Sequence, residues 1–207
     1  MPFKIAISSV AKIIYKNQYE FLRQKLLLTY IELAGTKIAR NDILEKLLIS
    51  AEDHRFKYHI GFDVLAILRA FRNNFFYNKN EGASTIEQQI VRVLTNDFEK
   101  TAKRKIKEIF LATTLSKIVP RQEIPLIYLH IAYYGSNMTG LQGVYDRFQL
   151  PQDIVITDDI AAEIIARIKY PEPKILSEKR ANQINIRKKH ILWLYSNHKK
   201  RTIIKIY

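Results

Sequence analysis

The sequence predicts an all-α protein, and three observations predict it. Apolar residues recur at helical spacing almost everywhere along the 207 residues. Glycine and proline are scarce, 6 of each, and no Gly- or Ser-rich stretch interrupts the pattern. The only β-branched run, Ile154 to Thr157, is too short to found a sheet. A chain of this length can bury roughly 70% of its unfolded surface. With 47% hydrophobic residues, one compact unit with lobes is expected over 1–207, without flexible linkers.

Eight helices are expected in order. The first, over 17–34, rests on apolar spacing alone. The second, 40–52, starts at Asn41 or Asp42 as cap and carries Ile43, Leu44, Leu47 and Leu48 on its apolar side. In the third, 62–76, Val64, Leu68, Phe71 and Phe75 form the stripe expected to face the core. The fourth, 85–96, opens with Ser84 and Glu87 in the form of a capping box and continues as Ile86, Ile90 and Leu94. The fifth spans 101–119 and is closed by Pro120; the sixth, 122–133, ends before Gly135. The seventh, 157–169, stops before Pro171, and the eighth, 178–197, follows Pro173. Gly61 and Gly135 are read as punctuating helix ends.

The formal net charge is +14, and it is concentrated at the C-terminal end, the basic tail 174–207, where Glu178 is the single acid. Such an excess favours a polyanionic partner: anionic lipid headgroups, a pyrophosphate-bearing substrate or nucleic acid. A solvated basic surface without a fixed partner is the plain alternative. Nucleic acid is disfavoured, because no recognition-helix or RNA-binding motif is present. There are no cysteines, which excludes disulfides and thiolate metal sites. No window holds the 18 or more apolar residues of a spanning helix, and Ile5 to Ile14 is cut by Lys12 and lacks a convincing cleavage site. Neither a transmembrane anchor nor a clear signal peptide is therefore expected. The run Phe71 to Lys79 joins aromatics to cations, a combination suited to a membrane interface. Phe71 and Phe75 are assigned to packing, and Phe76 and Tyr77 to the lipid side.

Three dense polar blocks carry the chemistry. The first, Glu52-Asp53-His54-Arg55-Phe56 closing on His59, Gly61 and Asp63, puts two acids where an apolar helix runs out. A carboxylate there is a candidate general base; taken alone it is more simply a surface charge, and His54 a surface or structural histidine. The second, Gly82-Ala83-Ser84-Thr85 followed by Gln88, Gln89 and Arg92, offers hydroxyls and the free N–H groups of a helix start to an anionic oxygen. A well-capped helix with its amides in water is the competing reading. The third, Arg104-Lys105-Ile106-Lys107-Glu108, sets one acid among cations, and Arg104 with Glu108 could equally be an i, i+4 surface pair.

The blocks Glu-Asp-x-x-Phe-x-x-His-x-Gly, Gly-Ala-Ser-Thr-Ile-Glu-Gln-Gln and Arg-Lys-x-x-Glu, in this order, resemble the first three motifs of the peptidoglycan glycosyltransferases, family 51, in its monofunctional type. Residues 127–135 and 159–171 resemble the fourth and fifth, so the likeness covers about 40–195. This chain departs at Glu87, where threonine is usual, at Arg92 and Val93, where lysine and asparagine are usual, and at His130 in place of asparagine. These departures bear on efficiency and substrate choice rather than fold.

The resemblance implies a two-lobed, lysozyme-like α-helical fold with a cleft between the lobes and a small membrane-contacting lobe around 64–82. It implies polymerisation of lipid II, an undecaprenyl-pyrophosphate disaccharide, into glycan strands with inversion, at the outer face of the cytoplasmic membrane. Glu52 would be the general base, supported by Asp53. Phe56, His59, Ser84, Thr85, Gln88 and Gln89 would shape the donor site, and Arg92, Arg104 and Lys105 would bind pyrophosphate. Glu108 would position those cations, hold a divalent metal such as Mg or Mn, or donate a proton; no cofactor is otherwise required. Partners implied are lipid II, the nascent strand, an anionic membrane surface and other cell-wall synthesis proteins. A lysozyme-like glycan hydrolase and a catalytically impaired binding or scaffold module remain alternatives. The former has less need of Arg104 and Lys105, and the latter is opposed by retention of both Glu52 and Glu108.

Overall fold

The computed structural model describes residues 2–36, 40–77 and 82–201. Asn78 and Lys79 of the aromatic run, and Lys205 with the rest of the tail beyond 201, lie outside the described residues. The described chain is mostly helical: α1 (Pro2–Ile14), α2 (Lys16–Ala34), α3 (Asp42–Glu52), α4 (Val64–Tyr77), α5 (Ile86–Leu94), α6 (Ala102–Ala112), α7 (Ile124–Ile131), α8 (Gly140–Phe148), α9 (Asp158–Lys169) and α10 (Glu178–Lys200). It divides into two compact units, residues 1–30 with 55–124 and residues 31–54 with 125–207.

In the first unit α6 packs against α5 and α1. The expected helix 101–119 stops at Ala112. There the hydroxyls of Thr113 and Thr114 bond back to the carbonyls of Phe110 and Leu111 at 2.8 and 2.6 Å, competing with the helical ladder. The N-cap of α5 is Thr85 rather than Ser84: its hydroxyl accepts the Gln88 N–H at 3.3 Å and donates to the Gly61 carbonyl at 2.7 Å. The stripe expected to be core on α4 is instead its exposed side. Leu68, Phe71 and Phe75 are 59, 65 and 73% exposed, and the buried residues are the small Ala66 and Ala70. Spacing fixes which residues share a face but not which face is covered, and here the helix rests on alanines. Phe76 and Tyr77 are exposed as expected.

In the second unit α3, α9 and α10 pack on one another. Asn41 caps α3 by accepting from the N–H groups of Ile43 and Leu44 at 3.0 and 3.1 Å. Thr157 and Ser177 cap α9 and α10 in the same way. Three elements were not expected from the sequence: α1, α8, and a hairpin of β1 (Tyr133–Gly135) and β2 (Met138–Thr139). Gly135 therefore belongs to a strand, not a helix end; a Cβ there would meet the Glu172 carbonyl oxygen at 2.3 Å. Among the described residues, no helix is long and apolar enough to cross a membrane.

Candidate functional site

The first unit gathers Ser84, Gln88, Arg92, Arg104 and Lys105 around one carboxylate. Glu108, near the end of α6, is only 2% exposed. Arg92 on α5 grips both its oxygens, Nε to Oε2 at 3.0 Å and Nη2 to Oε1 at 3.1 Å. Lys105, one turn back on α6, reaches Oε1 at 2.7 Å, and Arg104 reaches Oε2. The surface-pair reading of Arg104 and Glu108 is thus overturned, because the acid is buried and shared. Thr101 caps α6 and aims this turn, accepting the Arg104 N–H at 3.1 Å. Lys105 Nζ also meets Ser84 Oγ at 2.9 Å and Gln88 Oε1 at 2.7 Å. Ser84 faces Arg92 Nη2 at 3.4 Å as well.

Three cations on one carboxylate leave a local surplus of positive charge. Burial alone would raise the proton affinity of Glu108, but the hydrogen bonds from Arg92 and Lys105 and their charges outweigh it and hold the group below the ordinary glutamate value. Lys105 is shifted down, chiefly by burial, with Arg92 and Arg104 adding to it and Glu108 opposing. An ionised Glu108 held by three N–H donors is suited to aligning cations. It does not fit a divalent metal, which would displace these donors against their charge, and it is poorly suited to donating a proton.

A second cluster in this unit ties the first motif to the second. Gly61 sits at φ +105°, where a Cβ would lie 2.5 Å from the Ala112 carbonyl oxygen. Its N–H donates to His59 Nδ1 at 3.2 Å. Asp63 caps α4, accepting from Leu65 N–H at 3.0 Å, and pairs with Arg55 at 2.8 Å. Phe56 and His59 are buried, as is Glu87. Glu87 Oε1 lies 3.3 Å from Arg121 and 3.9 Å from His59 Nδ1. Arg121 also donates to the Phe56 carbonyl and covers the Phe56 ring at 4.6 Å. Sequence reasoning did not single out Arg121, although a buried acid introduced at Glu87 requires a nearby cation. Gly61→Ala is expected to destabilise the unit by about 1–3 kcal/mol from backbone conformation alone, measurable by urea denaturation; an unchanged midpoint would contradict the clash.

Glu52 and Asp53 belong to the second unit. Glu52 is the last residue of α3, with its side chain 17% exposed; Asp53, buried, closes the helix through its N–H to the Ile49 carbonyl at 2.9 Å. Arg187 of α10 donates to Glu52 Oε1 at 2.8 Å and to the Ala51 carbonyl at 3.0 Å. The sequence reading placed Arg187 only in the basic tail. The signal was its position between Ile184 and Ile191, which puts the cation on the buried stripe of α10. Beyond Glu52, His54 stacks on His198 at 5.2 Å, and His198 Nδ1 lies 2.7 Å from Ser50 Oγ. Gln89 is half-buried on α5, and His130, half-buried on α7, lies in the second unit.

A family model described as Transglycosylase matches residues 32–192. A monofunctional glycosyltransferase of Staphylococcus epidermidis is 36% identical over 100 residues, 48% of this chain and 37% of that protein. One from Staphylococcus saprophyticus is 33% identical over 134 residues, 60% of this chain and 50% of that protein. A biosynthetic peptidoglycan transglycosylase of Nitrosospira multiformis is 30% identical over 138 residues, 66% and 59% of the two chains. The chain thus spans between 37% and 59% of the length of these relatives.

Proposed function

The chain belongs to the transglycosylase family, and from that premise we propose that it polymerises a lipid-linked, pyrophosphate-activated disaccharide of the lipid II type into glycan strands. The observation that carries this reading is the buried Glu108 with Arg92, Arg104 and Lys105 assembled on it. A carboxylate that collects three cations leaves a net positive cradle matched to a leaving pyrophosphate, and a glycan hydrolase has no comparable anion to receive. In the transfer, the 4-hydroxyl oxygen of the acceptor sugar bonds to the anomeric carbon of the donor as the bond to pyrophosphate breaks. Glu52 takes the hydroxyl proton, and Arg92, Arg104 and Lys105 stabilise the charge that gathers on the departing oxygens. Attack opposite the leaving group gives inversion.

Labelled lipid II incubated with the purified protein, beside Glu52→Gln and Glu108→Gln variants, tests the reading once products are separated by length. Glycan chains that require both glutamates support it. Absence of product from folded protein that binds lipid II would favour a scaffold, and release of reducing ends from isolated cell wall would favour a hydrolase.

The exposed face of α4 gives the reading its membrane component. Leu65, Leu68, Phe71, Phe75 and Phe76 are each more than half exposed, alongside Arg69 and Arg72 on the same helix. Such an apolar and cationic surface suits the headgroup boundary of an anionic bilayer at the outer face of the cytoplasmic membrane. Replacing Phe71 and Phe75 together by serine is expected to lower the fraction floating with anionic vesicles at low salt roughly tenfold. Unchanged flotation would remove α4 from the contact.

A further inference from the structure

We propose that Arg187 is a positioning residue for Glu52, holding the carboxylate of the candidate base in the orientation from which it accepts a proton. The proposal rests on the reading of Glu52 as general base. Glu52 ends α3, where unpaired carbonyls point outward and a negative side chain is disfavoured by the helix dipole. A single Nη2 of Arg187 answers both problems, at 3.0 Å from the Ala51 carbonyl and 2.8 Å from Glu52 Oε1. The side chain is thereby tied to the backbone of its own helix end.

The guanidinium is itself fixed. Arg187 is 8% exposed between Ile184 and Ile191, and its Nη1 faces His190 Nδ1 at 3.2 Å. His190 is held to a low proton affinity by burial and then by the charges of Arg187 and Lys169, which leaves Nδ1 able to accept. The Nε–H of Arg187 is buried without a hydrogen-bond acceptor among the described residues. An arginine chosen only for stability would not bear that cost on an apolar stripe that a leucine could fill. Such a local conflict is expected where a catalytic group must be held in place.

The test is steady-state kinetics on labelled lipid II with Arg187→Gln, Arg187→Lys and Glu52→Gln, together with lipid II binding and thermal melts. Arg187→Gln is expected to lower kcat by about 10–100-fold with KM changed by less than about twofold. Arg187→Lys should recover part of the rate, since a point charge reaches Glu52 but not also the Ala51 carbonyl and His190. In a Glu52→Gln background, with enzyme in excess, Arg187→Gln should change the rate by less than about twofold, because it acts through Glu52. An additive loss in that background, a raised KM with unchanged kcat, or full activity in folded Arg187→Gln would overturn the proposal. Should Arg187→Gln fail to fold, a wild-type kcat in Arg187→Lys would overturn it. If Glu52→Gln itself polymerises normally, it is the general-base reading that falls.

Discussion

Glu52→Gln is expected to slow lipid II polymerisation by about 10²–10⁴-fold, the usual contribution of a positioned general base. The amide keeps the shape of the side chain and can still accept from Arg187 through its oxygen, but it cannot take a proton from the acceptor hydroxyl. Binding should change little, because the residues proposed to hold pyrophosphate, Arg92, Arg104 and Lys105, lie in the other unit and are assembled by Glu108. The loss should therefore appear in kcat with lipid II affinity retained. Neutralising Glu52 leaves the Arg187 guanidinium without its counter-charge in a pair whose side chains are 9 and 17% exposed, so a loss of stability is expected as well, and melts must accompany the kinetics. Glu52→Asp is a useful second variant: it retains the charge but withdraws it by one methylene, and an intermediate rate separates position from charge. A fall of less than about tenfold in Glu52→Gln would sink the assignment.

The motifs were legible in the sequence because they are local. Gly61, Ser84, Gln88, Arg104, Lys105 and Glu108 each sit in a block whose residues fold next to one another, and the cap at Asn41 follows from side-chain chemistry one turn away. What was not legible depends on long-range partners. The period of α4 was evident, yet Phe71 and Phe75 are exposed, because spacing does not say which side meets a neighbour. Arg187 was counted as one tail cation among many, and only the packing of α10 on α3, 135 positions away in sequence, gives it Glu52. Arg121 was passed over for the same reason: its partners Phe56 and Glu87 come from two different blocks. The β1–β2 hairpin escaped because it is set by Gly135 against Glu172 rather than by any β-branched run.

Glu108→Ala should damage both folding and turnover, and the two effects can be separated by pH. Removing a buried carboxylate leaves Arg92, Arg104 and Lys105 repelling one another beside α5 and α6. Breaking a buried ion network costs roughly 3–5 kcal/mol, and the low end is expected here because Arg92 and Lys105 are 27 and 32% exposed and regain water. Lys105 also loses the one neighbour that raises its proton affinity, while burial, Arg92 and Arg104 continue to lower it. Without Glu108 the three cations are no longer held together where the proposed leaving pyrophosphate needs them, so a fall of about 10²–10³ in polymerisation is expected. In the wild type, Glu108 binds its proton less readily folded than unfolded. Its contribution to stability is therefore complete above the unfolded glutamate value and disappears as pH falls through the lower folded one. Urea midpoints taken from pH 7 to pH 3 should drop for the wild type and drop less for Glu108→Gln, which has no carboxylate to protonate. Parallel curves for the two proteins would mean that Glu108 is not the acid on which the cations depend.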